Sequence, residues 1–97
     1  MNVARHLVIR GRVQGVGYRA FVEDAALDHG LAGWVRNRRN GEVEAVFAGP
    51  PAAVNAVAHA CRRGPPGARI DSVDEREATA EELAMGGGVR FAVLPTL

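Results

Sequence analysis

Two glycines one residue apart, followed closely by an arginine, form the stretch of this chain best suited to chemistry: Gln14-Gly15-Val16-Gly17-Tyr18-Arg19. Glycine tolerates backbone conformations that let successive amides converge, and a helix start leaves several N–H groups without carbonyl partners. Converging amides at the positive end of a helix dipole bind an anion. An arginine in the first helical turn can reach back over the loop and offer two parallel hydrogen bonds to phosphate oxygens. No Gly-Lys-Ser/Thr follows, which excludes a Walker loop. The third glycine of a dinucleotide loop is also missing.

For this loop to work, a strand must end before it and a helix must begin after it. Residues 5–13 alternate, with Leu7, Ile9, Gly11 and Val13 set against His6, Val8, Arg10 and Arg12, which predicts a strand. From Arg19 to His29 the period becomes helical, with Phe21, Val22, Ala25 and Ala26 on one face, and Gly30 stands where a helix C-terminal glycine belongs. Gly33–Arg38 and Glu42–Ala48 read as two strands joined by Asn40-Gly41, a strong hairpin signal. Pro51 opens a second helix that runs to Arg63, with Val54, Val57, Ala58 and Cys61 at core spacing. Arg69–Ala78 forms a weaker strand, the polar stretch through Gly86-Gly87-Gly88 is expected to be mobile, and Val89, Phe91 and Val93 form a short last strand. The order β-α-β-β-α-β plus a terminal strand predicts an α+β, ferredoxin-like two-layer sandwich. Its two helices cover one face of a mixed or antiparallel sheet.

A second segment gives the loop its meaning: Gly33-Trp34-Val35-Arg36-Asn37-Arg38-Arg39-Asn40-Gly41-Glu42-Val43. Together, Gly11–Arg19 and Gly33–Gly49 resemble the two motifs of the acylphosphatase family. The resemblance implies metal-independent hydrolysis of a carboxyl–phosphate anhydride to a carboxylate and inorganic phosphate, with no cofactor. It places the family's catalytic arginine on Arg19 and its catalytic asparagine on Asn37. The phosphate-cradling backbone falls on Gln14, Gly15, Val16, Gly17 and Tyr18. The alternative reading is a non-catalytic phosphate-binding or anion-binding module of the same fold.

Composition narrows the partners. Ninety-seven residues, numbered 1–97, suit one domain with one core. A formal net charge of +1 provides no field for nucleic acid or an anionic membrane. All twelve basic residues are arginine. The single cysteine, Cys61, excludes an intramolecular disulfide and reads as a buried inert thiol. No signal-peptide layout or membrane-length apolar run is present, so a cytoplasmic monomer acting on a small-molecule acyl phosphate is expected. Trp34 is expected to pack rather than to meet substrate. Arg36, Arg38 and Arg39 are expected to form a solvated hairpin tip. His6, His29 and His59 lie outside the matched loop and show no metal-ligand spacing.

Overall fold

Alternating apolar residues build the strands, and their spacing sets which face turns inward. The computed structural model describes residues 1–97 as β1 (Val3–Arg12), α1 (Tyr18–Asp28), β2 (Ala32–Asn37), β3 (Val43–Gly49), α2 (Pro51–Arg63), β4 (Arg69–Glu77), α3 (Ala80–Ala84) and β5 (Phe91–Val93). The five strands form one mixed sheet in the order β4-β1-β3-β2-β5. All neighbours are antiparallel except β2 and β5, which run parallel. The ferredoxin-like sandwich expected from the element order is the observed fold.

The inward residues of the sheet, Leu7, Ile9, Val35, Val43, Ala45 and Phe47, are fully buried. They meet Val22 and Ala26 of α1 and Val54, Val57 and Cys61 of α2 in one core. Fully burying the Leu, Ile, Val and Phe side chains among them stabilises the fold by roughly 1.5–3 kcal/mol each. Gly30 ends α1 as the sequence suggests. It has φ 68°, its amide donates to the Leu27 carbonyl, and the next amide, of Leu31, donates back to Ala26.

The stretch expected to be mobile is ordered differently. Residues 80–84 form α3 on the face of the sheet opposite α1 and α2, and a glycine-rich turn follows. The Thr79 hydroxyl accepts from the Glu82 amide, and the Glu82 carboxylate accepts from the Thr79 amide, a capping box. The helix lies against Trp34, whose indole N–H donates to the Glu82 carbonyl at 2.6 Å. Trp34 is fully buried and therefore a packing residue, as expected.

Candidate active site

β1 ends at Arg12 and α1 begins at Tyr18, so five residues must turn the chain from sheet to helix. Gly15 and Gly17 achieve this at φ 74° and 76°. Both lie in the left-handed region, which a side chain disfavours. Gly17 is the residue before the first turn of α1, and no side chain caps that helix. The amides from Gln14 to Ala20 donate to no carbonyl in the chain; the first helical donor is Phe21, to the Gly17 carbonyl. The first turn of α1 also carries no acidic residue to compete for these donors. What results is a ring of free N–H groups at the positive end of a helix.

These groups border a cleft of about 210 Å³ lined by Val13, Gln14, Gly15, Gly17, Tyr18, Arg19, Ala20 and Asn37. Six of the seven residues read from the sequence therefore meet at one place. Val16 is the exception: its side chain packs against the core. Arg19 is half-buried and forms no ion pair within the chain, so its guanidinium donors are left free of carboxylate partners. Asn37 is the last residue of β2 and pairs with Val43 of β3. Its Oδ1 is buried without a hydrogen-bond partner. A buried amide oxygen without a protein donor is costly in a folded chain, and this one is left able to accept a hydrogen bond.

The Tyr18 hydroxyl is engaged within the core. The phenol is buried and donates to the Cys61 carbonyl at 2.7 Å, tying the start of α1 to α2. Burial, and then its proximity to Cys61, raise the Tyr18 pKa. Burial likewise pushes the Cys61 thiol up to about 12, so it stays protonated and inert. The Gln14 side chain ties the loop to the β2–β3 hairpin. Its amide donates to the carbonyls of Arg38 and Glu42 at 2.8 and 2.9 Å.

The arginines beside Asn37 differ from the solvated tip expected of them. Strand alternation sends Arg36 and Arg38 to the face opposite Asn37, where both donate to the buried Glu44, at 2.8 and 3.1 Å. Arg36 also lies over the Trp34 ring, 4.9 Å from its centroid. Only Arg39 is exposed. Glu44 accepts from His6 as well, at 2.6 Å. Sequence reading missed this cluster, whose signal was a histidine and a glutamate at open-face positions of adjacent strands. No helix of the structure is long and apolar enough to cross a membrane.

Comparison with known proteins gives a consistent result. A family described as Acylphosphatase matches residues 5–91. A protein of Rhodopseudomonas palustris named Acylphosphatase is 52% identical over 97 residues, covering 99% of this chain and 98% of the relative. One of Bradyrhizobium diazoefficiens, also named Acylphosphatase, is 56% identical over 92 residues, covering 94% and 93%. The crystal structure of acylphosphatase from Bacillus subtilis superposes with a TM-score of 0.84 at 35% identity, covering 97% of this chain and 99% of that one.

Proposed function

The chain belongs to the acylphosphatase family and hydrolyses acyl phosphates, and we propose that it does so with Arg19 and the amides of Gln14, Gly15, Val16, Gly17 and Tyr18 holding the phosphoryl group while Asn37 holds the attacking water. One observation carries this assignment. Free amides at the start of α1, an unpaired guanidinium and a buried, unpartnered amide oxygen line a single cleft.

Phosphoryl transfer passes through a loose transition state whose charge spreads over three equatorial oxygens. Fixed N–H donors and a bidentate guanidinium stabilise that charge without reorganising. Water adds to phosphorus in line with the scissile bond, and the anhydride P–O bond breaks. Its electron pair leaves on the carboxylate oxygen, and a water proton passes to a phosphate oxygen. Carboxylate is a good leaving group, so no strong general acid is needed. Asn37 Oδ1 accepts from the water and orients it, a role that an amide fills at any neutral pH. In this mechanism protein groups meet the charge that a metal ion would otherwise meet.

The same reading describes residues 1–97 as one domain, a cytoplasmic monomer without a nucleic-acid partner, in keeping with its net charge of +1. The test is phosphate release from acetyl phosphate or benzoyl phosphate with a chelator present. Turnover unchanged by the chelator supports the mechanism. Phosphate-induced thermal stabilisation without turnover would instead support a non-catalytic phosphate-binding module.

A further inference from the structure

Arg36, Asn37 and Arg38 are consecutive, and alternation sends the outer two to the open face of the sheet while Asn37 lines the cleft on the helical face. Glu44 pairs with Arg36 in the β2–β3 register and sits between the two arginines. Its Oε1 accepts from Arg36 Nε at 2.8 Å and from Arg38 Nη1 at 3.1 Å, and its Oε2 lies 2.6 Å from His6 Nε2. The Glu44 side chain is 11% exposed and that of Arg36 12%, so water screens this pair little. Both neighbours of Asn37 are thus anchored to one buried carboxylate behind the sheet.

We propose that Glu44 is a positioning residue for hydrolysis: by anchoring Arg36 and Arg38 it fixes the end of β2, and so holds the Asn37 amide in line with the phosphate loop. This inference rests on the role of Asn37 proposed above. The geometry is sensitive because β2 runs only to Asn37 before the chain turns at Asn40 and Gly41. A shift of the strand end would move the held water off the line of attack while leaving the loop amides and Arg19 in place. Glu44 acts on the chemical step, therefore, and not on phosphate binding. A residue that only neutralised buried arginines would affect stability alone.

The experiment uses the full chain with benzoyl phosphate at 25 °C, and inorganic phosphate as the competitive probe. Glu44→Gln keeps the shape and an acceptor but removes the charge. Its kcat is expected to fall about tenfold, since small displacements of a positioned group have large rate effects. KM and the phosphate inhibition constant are expected to stay within about twofold. Arg38→Met removes one anchor from a side chain that is 36% exposed, which folding tolerates, and should show the same split at smaller size. Arg76→Met, on the same face but bonded to Glu82 and not to Glu44, is the control that leaves kcat unchanged. Should Glu44→Gln fail to fold, Arg38→Met decides. A folded Glu44→Gln or Arg38→Met that keeps wild-type kcat overturns the inference. Asn37→Ala, assayed in parallel, separates the two readings. If it keeps kcat, the role of Asn37 fails and the inference with it; if it alone loses kcat, only the positioning by Glu44 fails.

Discussion

The side-chain amide of Gln14 donates to the Arg38 carbonyl at 2.8 Å, one peptide beyond Asn37, and its other hydrogen reaches the Glu42 carbonyl at 2.9 Å. One side chain therefore joins the loop that ends β1 to the hairpin that carries Asn37.

Replacing Gln14 by Leu should separate stability from activity. Both carbonyls keep a partner, because the Gly41 amide donates to Arg38 and the Arg38 amide to Glu42. Nothing buried is orphaned, so urea unfolding should report a loss of only about 1 kcal/mol. The tie between loop and hairpin is lost, and kcat should fall about tenfold. A variant much less stable but fully active would assign the side chain to the fold alone.

Two glycine substitutions make opposite demands on the backbone. A Cβ on Gly17 meets nothing within 4 Å, and its only cost is the left-handed conformation at φ 76°, about 1–2 kcal/mol. A Cβ on Gly33 would lie 1.8 Å from the Val46 carbonyl oxygen, inside the β2–β3 ladder, and backbone cannot give way there. Gly17→Ala should fold cooperatively with a Tm lowered by roughly 5–15 °C. Gly33→Ala should yield no cooperatively folded protein by circular dichroism. The reverse order would contradict the register at Gly33.

Much of this was legible because local rules and tertiary structure agree. The switch from alternation to helical period around Arg19, the terminating Gly30 and the Asn40-Gly41 turn each correspond to an observed boundary or turn. The loop was legible because its glycines have a steric reason to be there. What escaped was the open face of the sheet. Thr79 and Glu82 carry a capping-box spacing, but a five-residue helix has too little periodicity to stand out beside three glycines. Arg36 and Arg38 read as surface because nothing local says that Glu44 lies opposite. That pairing depends on the strand register, which single-strand patterning does not fix.

Acid should destabilise the fold over a defined range. The bond from Arg76, and next the Thr79 amide, lower the Glu82 carboxyl from its ordinary 4.5 to about 2. Burial pushes Glu44 and Glu75 upward, but the hydrogen bonds they accept, from His6, Arg36 and Arg38 to Glu44 and from Arg62 and Arg5 to Glu75, outweigh it, and both end below the ordinary value. A carboxyl with a folded pKa below its unfolded one contributes its full stabilisation above the unfolded value and loses it as pH falls through the folded value. Tm should therefore decline as pH drops from 4.5 towards 2. Glu82→Gln keeps an acceptor for the Thr79 amide but not the charge facing Arg76, and should flatten that decline. An unchanged acid limb in this variant would remove Glu82 from the account.

Arg19 and Asn37 share one cleft, and the roles given to them differ enough to be told apart by binding and rate together. Arg19→Ala removes the guanidinium from the phosphate and should abolish both phosphate binding and turnover. Arg19→Lys keeps a charge but not the planar fork, so binding should partly return while kcat stays low. Asn37→Ala removes only the acceptor that holds water. It should bind inorganic phosphate normally, by calorimetry, and lose about a hundredfold or more in kcat, as deleting one positioned polar group does elsewhere. Asn37→Asp places a carboxylate beside a bound dianion, so like-charge repulsion should weaken phosphate binding as well. The informative contrast is between the two Asn37 variants. If Asn37→Ala lost phosphate binding as fully as Arg19→Ala does, Asn37 would be a phosphate ligand and the attacking water would need another holder.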